Sequence, residues 1–400
     1  MKVALLTGGQ DKPYALGLGS ALVSQGIFLD FIGSDDLVFA QQPGNTLESS
    51  ELPGATRVTF LNLRGDQSPD ASLAKKVARI LIYYGRLIRY AATAKPKIFH
   101  ILWNNKFQLF DRTALMLYYR ALGKRIALTV HNVNAGKRDA NDNLLNHLTL
   151  KIQYQLADHI FVHTDRMRND LVNEFGVSKN KITVIPFGLN NTVPNTKRTA
   201  EEARRLLGVR STDKTILFFG RIAPYKGVEY LIAAFADALG TDRNYRLIIA
   251  GSVKYCPDYW RLVQDEISRR GVGERIIERI EFIPDEETEV YFKAADVLVL
   301  PYTHIFQSGV LVLAYNFGLP VIASDVGSLR EDIVEGKTGY IFRPTDSADM
   351  ARTIRKYFES DLYRQLELRR RDIREYAHQR FSWATVGEIT RDVYANLCKR

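Results

Sequence analysis

Short apolar runs alternate with longer amphipathic stretches along the whole chain. Runs such as Val3–Thr7 and Thr215–Phe219 are apolar on both sides of the backbone, the pattern of a strand buried on both faces of a parallel sheet. The alternation predicts an α/β fold. In the first half, strands are predicted at Val3–Thr7, Phe28–Ile32, Val58–Leu63, Ile98–Trp103, Ile126–His131, His159–His163 and Ile182–Pro186. Helices are expected at Leu16–Gln25, Leu73–Ala94, Arg112–Leu122, Leu144–Ala157 and Arg166–Phe175. The second half repeats the pattern, with strands at Thr215–Phe219, Arg246–Ala250, Ile280–Ile283, Val297–Leu300, Val321–Ala323 and Tyr340–Phe342. Its helices are expected at Val228–Leu239, Tyr259–Arg269, Glu286–Ala295, Gly309–Phe317, Ser347–Phe358 and Asp361–Arg380, with a final one at Trp383–Leu397.

Four hundred residues exceed what one hydrophobic core ordinarily serves. The segment Gly188–Thr196, rich in Gly, Asn and Pro, reads as a linker. The expected division is residues 1–190, residues 191–380 and a C-terminal helix, 381–400. Ligands of open parallel sheets bind beyond the carboxyl ends of the strands, so the chemistry is sought in the loops that follow each strand.

The segment Phe219-Gly220-Arg221-Ile-Ala-Pro-Tyr225-Lys226-Gly227 joins a buried strand to a helix. Gly220 admits a close ligand and Gly227 eases the turn. A helix start offers free N–H groups to phosphate. Arg221 supplies a fork and Lys226 a point charge, suited to neutralising a diphosphate leaving group; solvated charges on a plain strand–loop–helix are the other reading. A second loop runs Pro301-Tyr302 to Gln307-Ser308-Gly309-Val310, where Ser308 and Gly309 form a helix-capping pair. Gly8-Gly9 closes the first strand, with Gly17 opening the first helix, but the spacing is not that of a dinucleotide site. His131 and Asn132 end the strand Ile126–His131.

Gly220-Arg221…Lys226-Gly227, Ala295-Asp296-Val-Leu-Val-Leu-Pro301, Gly318…Pro320-Val…Ala323-Ser324…Gly327…Glu331 and Gly336-Lys-Thr-Gly339-Tyr resemble the donor half of the family-4 retaining glycosyltransferases, the group 1 glycosyl transferases. Weaker likeness runs through Thr129-Val-His131-Asn132-Val133 and Val184-Ile-Pro186-Phe-Gly188, and Phe381-Ser-Trp383 resembles the start of the family's last helix. The resemblance implies a GT-B architecture: two Rossmann-like domains facing across a cleft, acceptor bound by the first and nucleoside diphosphate sugar by the second. It assigns Arg221, Lys226 and His131 to catalysis and the donor sugar. Gly220, Gly227, Gln307, Ser308, Gly309 and Val310 would hold the donor, while Gly8, Gly9, Gly17 and Asn132 would serve the acceptor or phosphate. The chain departs from the family at two places where glutamates usually stand eight positions apart. Ile305 and Leu313 occupy them, and Gln307-Ser308-Gly309-Val310 reads as a subfamily variant.

Composition narrows the picture further. The chain is 46% apolar and 25% charged, as globular proteins are. Cys256 and Cys398 form no framework of bridges, which points to a reduced, cytoplasmic compartment. Neither a signal peptide nor a membrane-spanning run is evident, so the protein is expected to be soluble or peripheral at the membrane face. The net charge of +10 is uneven: 14 basic residues and one acid, Asp111, fall between Lys75 and Arg138. That run either solubilises the domain or attracts an anionic membrane surface or acidic acceptor. There is no cofactor motif, no metal-ligand spacing and no nucleic-acid motif; His147, His159 and His163 read as structural or surface residues. The expected activity is transfer of a sugar from a nucleoside diphosphate sugar to a saccharide or lipid-linked acceptor, with retention and without metal. If the enzyme inverts, Asp11, Asp111 and Asp139 are candidate bases. Another GT-B enzyme, such as a sugar-nucleotide epimerase or a phosphorylase, and a non-catalytic basic binding protein are the alternatives.

Overall fold

The computed structural model, which describes residues 1–9, 11–33, 57–65, 71–138, 142–190, 192–253 and 256–399, divides into two units. One comprises Met1–Gly188 with Ser382–Arg400, the other Leu189–Phe381. The first unit carries strands β1 (Lys2–Leu6), β2 (Phe28–Gly33), β3 (Val58–Asn62), β4 (Ile98–Ile101), β5 (Arg125–Thr129), β6 (His159–Val162) and β7 (Ile182–Val184). Between them run helices α1 (Lys12–Ser24), α2 (Leu73–Thr93), α3 (Gln108–Arg112), α4 (Ala114–Ala121), α5 (Ala135–Arg138), α6 (Leu144–Leu156) and α7 (Asp165–Phe175). The strands pair in parallel in the order β3-β2-β1-β4-β5-β6-β7. The order reverses between β1 and β4, which leaves a crevice at their carboxyl ends.

Strands β8 (Lys214–Phe219), β9 (Tyr245–Ala250), β10 (Ile276–Arg279), β11 (Val297–Leu300), β12 (Val321–Ser324) and β13 (Gly339–Phe342) form the second sheet. Helices α8 (Ala200–Leu207), α9 (Val228–Thr241), α10 (Pro257–Arg270), α11 (Asp285–Ala294), α12 (Gly309–Asn316), α13 (Leu329–Asp332), α14 (Ser347–Glu359), α15 (Asp361–Arg364) and α16 (Leu366–Arg380) accompany it. The order β10-β9-β8-β11-β12-β13 places the reversal between β8 and β11. Buried Asp296 ties these two strands: its carboxylate accepts from the Thr215 N–H at 2.8 Å and pairs with Arg204 at 2.7 Å. Helix α17 (Trp383–Lys399) belongs to the first unit and packs on α1, with Val386, Tyr394 and Leu397 in that unit's core. Tyr394 Oη is hydrogen-bonded to His100 of β4, whose other ring nitrogen meets Thr129 Oγ1 at 2.7 Å.

Several elements differ from the sequence expectation. Helix α1 starts at Lys12 rather than Leu16, because Asp11 caps it by accepting from the Tyr14 N–H at 3.2 Å and Pro13 fits its first turn. Gly17 therefore lies inside the helix rather than at its opening. A Cβ there would lie 2.2 Å from the Trp383 indole, so Gly17 makes room for that ring, a packing role. The strand expected at Ile280–Ile283 forms four residues earlier, as β10. Gly271, at φ 63°, ends α10, and one 3-10 turn then carries the chain into the sheet, leaving Phe282 75% exposed. Helix α8 was not foreseen, although Thr199-Ala-Glu-Glu202 is a capping box, and both reciprocal bonds form. The expected helices 112–122 and 361–380 are each divided, at Thr113 and at Gln365.

The carboxyl edge of the second sheet is tightly packed. A Cβ on Gly251, whose φ is +149°, would sit 1.9 Å from the Gly220 carbonyl oxygen. Gly251→Ala is expected to lower stability by about 1–3 kcal/mol, the cost of one strained backbone residue. Urea unfolding checks this; an unchanged midpoint would contradict the packing of β9 on β8.

Candidate active site

Beyond β8, Gly220 donates its N–H to the Ala250 carbonyl at 2.9 Å, and Arg221 stands exposed. The chain then tightens into a 3-10 turn, Pro224–Lys226, closed by Gly227 at φ 63°. No other residue fits position 227, because a Cβ would lie 2.1 Å from the Pro301 carbonyl oxygen beyond β11. The Thr303 N–H donates to the Tyr225 carbonyl at 2.9 Å and fastens the two loops together. Lys226 is only 6% exposed, with its ammonium 3.7 Å from the Tyr302 ring centroid and 5.3 Å from that of Tyr225. Burial holds the Tyr302 phenol well above its usual range, so the ring stays neutral and offers its face to the cation. At the start of α9, the Val228 N–H already donates to Tyr259 Oη at 2.8 Å, and that hydroxyl donates to Glu229.

The second loop converges on the first. Ser308 is buried and caps α12 by accepting from the Leu311 N–H, with its hydroxyl 3.5 Å from Tyr302 Oη. Gly309 is exposed as the first helical residue, and Val310 Cγ2 stands 3.5 Å from where a Gly220 Cβ would be. Gln307 Oε1 is buried without a hydrogen-bond partner. Lys226 and Ser308 thus meet at Tyr302, and Val310 faces Gly220, beside the β8–β11 reversal, while Arg221 is exposed on the first loop and Gln307 precedes the Ser308 cap on the second. Ile305 and Leu313 supply no carboxylate: the Ile305 carbonyl lies against Gly327, and Leu313 is buried in the core.

The first unit assembles a different site. Gly8 and Gly9 turn the chain after β1, Gly8 against Trp103 and Gly9 against the Arg64 guanidinium. His131 stacks on Trp103 with centroids 4.3 Å apart and 4° between planes. The edge of Tyr14 meets His131 at 4.6 Å, and Phe187 and Trp383 ring Tyr14. His131 Nδ1 is 3.0 Å from His163 Nε2, while His131 Nε2 is buried without a partner. Burial lowers His163 to about 4 and pushes His131 well below the usual imidazole range, so both rings are neutral at pH 7. Asn132 Oδ1 accepts from the Asn134 N–H at 3.1 Å and shapes the loop.

Gly17 therefore stands apart from the Gly8-Gly9 turn. Among the candidate bases, Asp11 is the α1 cap and Asp111 Oδ1 accepts from Tyr84 Oη and Asn105 Nδ2. Asp139 lies outside the described residues. His147 stacks on Phe175, and His159 meets Thr183 Oγ1 at 2.9 Å.

Sequence reasoning gave Tyr14 and Trp103 no place in a site, quoted Tyr302 only as part of its loop, and read His163 as structural or surface, whereas that ring is buried and bonded to His131. It also missed a cavity of about 420 Å³ in the first unit, lined by Gln108, Arg112, Asn143, Leu145, Asn146 and Thr149. The signal for His163 was register: β5 and β6 align Thr129 with Phe161, and two residues on His131 meets His163. Among the described residues, no group of three His, Cys, Asp or Glu side chains is placed to hold a metal ion, and no helix is long and apolar enough to cross a membrane.

Comparison with known proteins finds likeness over both halves of the chain. The family description "Glycosyl transferases group 1" matches residues 199–380, and "Glycosyltransferase Family 4" matches residues 13–193. A D-inositol 3-phosphate glycosyltransferase of Corynebacterium efficiens is 31% identical over 247 residues, 60% of this chain and 56% of that protein. The Corynebacterium aurimucosum protein of the same name is 29% identical, over 60% of this chain and 57% of its own length. The match therefore spans a little over half of these relatives. Sucrose-phosphate synthase from Thermosynechococcus elongatus superposes with a TM-score of 0.75 at 20% identity, covering 100% of this chain and 99% of that one. HepE of Anabaena, solved with UDP-glucose, gives 0.72 at 16% identity over 99% and 100%. Two parallel-sheet α/β units, the loop geometry of the second and matches to both halves assign the chain to the group 1, family 4 glycosyltransferases of the GT-B class.

Proposed function

We propose that this protein transfers a sugar, with retention, from a nucleoside diphosphate sugar to a saccharide or lipid-linked acceptor. The observation that carries the reading is the buried Lys226 ammonium, held against Tyr302, whose hydroxyl is 3.5 Å from the Ser308 that caps α12, on a loop that also carries Arg221 at the strand-order reversal of the second sheet. Arg221 and the ammonium of Lys226 neutralise the diphosphate as the bond from the sugar's anomeric carbon to phosphate oxygen breaks. That phosphate oxygen takes the acceptor hydroxyl's proton as the acceptor oxygen bonds the anomeric carbon on the same face. Charge and atoms balance without a separate carboxylate base. Gln307 Oε1, buried and without a partner, offers an acceptor for a donor hydroxyl in place of the family's glutamates. UDP and UDP-glucose bound to the HepE structures make a uridine donor the first to test. The cavity around Arg112 suits a polyhydroxylated acceptor, in line with the name of the curated relatives. His131, in the first unit, is read as a residue that positions a sugar hydroxyl.

Arg221→Ala and Lys226→Ala should each raise the barrier for transfer by about 2–4 kcal/mol, as loss of a preorganised charge stabiliser does. Steady-state kcat measures this, and near-normal turnover in both variants would end the assignment.

The two cations take the place a divalent ion holds in metal-dependent transferases. Full transfer activity is therefore expected in EDTA. Activity lost to the chelator and restored by Mg²⁺ or Mn²⁺ would contradict this.

The first unit is read as resting on an anionic membrane face that presents the acceptor. Leu73, Val77, Leu81, Ile82 and Ile88 of α2 are exposed beside Lys75, Arg86 and Arg89. Such a helix buries its apolar side chains among headgroups while each cation adds about 1 kcal/mol, screened by salt. Vesicle co-sedimentation should show binding to anionic but not neutral liposomes, with release as salt rises. Replacing Lys75, Lys76, Arg86 and Arg89 with glutamine should weaken it. Protein left in the supernatant with anionic vesicles at low salt refutes the membrane reading and leaves the transferase reading intact.

A further inference from the structure

His131 and His163 form a directional pair whose protons are fixed from one end. His163 Nδ1 stands 3.4 Å from the Ile185 carbonyl oxygen, and the Pro186 carbonyl also acts on the ring. A carbonyl oxygen only accepts, so this nitrogen carries the proton. The ring is neutral, so its Nε2 is a bare acceptor. At 3.0 Å it takes the N–H of His131 Nδ1, which leaves the lone pair of His131 on Nε2. That atom is buried without a hydrogen-bond partner. Trp103 lies flat against one side of the His131 ring and the Tyr14 edge meets it at 4.6 Å, so packing opposes a ring flip that would exchange the two nitrogens.

We infer that His163 is a positioning residue that locks His131 in the Nδ1–H tautomer, so that His131 Nε2 receives a hydrogen bond from a ligand hydroxyl. The bare nitrogen discriminates by polarity. It accepts from an O–H or N–H donor and repels a carbonyl or phosphate oxygen, so the group it takes is a sugar hydroxyl rather than the diphosphate. A buried acceptor left unmatched costs about 1–3 kcal/mol, which a bound hydroxyl recovers. The ligand half of this inference rests on the proposed sugar-transfer reading; the tautomer half does not.

Long-range ¹H–¹⁵N NMR of protein labelled at its seven histidines reads the tautomer directly, with His131 assigned by substitution. Wild-type His131 should be protonated at Nδ1 and bare at Nε2; the opposite pattern overturns the proposal. In His163→Leu the acceptor is gone, and His131 should shift toward the Nε2–H form that a free histidine side chain prefers; an unchanged tautomer in a folded variant overturns the role of His163. His163→Gln places an amide oxygen where Nε2 stood and should restore the Nδ1–H form. With UDP-glucose, or whichever nucleotide sugar proves active, kcat/KM should fall about tenfold in His163→Leu, the worth of one hydrogen bond to a neutral group, and recover in His163→Gln. A tautomer shift with no change in kcat/KM would remove His131 from the sugar site while sparing the His163 lock. Loss of kcat/KM with no tautomer shift would show that His163 acts by packing alone.

Discussion

Lys226 sets the terms for the second unit. An ammonium withdrawn from water is costly unless something returns the lost solvation. Here the neutral Tyr302 ring stands 3.7 Å away. That contact requires the loop beyond β8 and the loop beyond β11 to touch, which is why Gly227 presses on the Pro301 carbonyl and Thr303 bonds back to Tyr225. The same closeness brings the Ser308 hydroxyl to 3.5 Å from Tyr302 Oη. The site is built from two loops that hold each other, with the sheet's strand order deciding which two.

The first unit is organised by rings rather than charge. Tyr14 touches Trp103, His131, His163, Phe187 and Trp383 at centroid distances of 4.6–5.7 Å. These residues come from α1, from the ends of four strands and from the start of α17, so folding of the whole unit is needed before His131 is aimed. Gly17 belongs to this story: its missing side chain lets the Trp383 indole close the cluster.

The parallel α/β class and most strands were legible because strands buried on both faces must be apolar throughout. The place of the Arg221–Lys226 loop, between a buried strand and a helix, was legible because Gly220 and Gly227 bound it. Boundaries failed where two apolar windows competed, as at Ile276–Arg279 against Ile280–Ile283, or where a cap outweighed hydrophobic period, as at Asp11 and Thr199. The histidine pair and the Lys226–Tyr302 contact were illegible for another reason. Both are made between residues far apart in the chain, and their meeting is set by strand register and loop packing, which one sequence carries only implicitly.

The central claim is that the loops 219–228 and 301–311 together hold a nucleoside diphosphate sugar. Hydrogen exchange measured with and without UDP-glucose, GDP-mannose and ADP-glucose tests it most directly, since bound ligand suppresses local opening. At least one of the three should slow exchange in both loops at once, while the opposite edge of the sheet is unchanged. Protection by none of them, or protection confined to the first unit, would contradict the account.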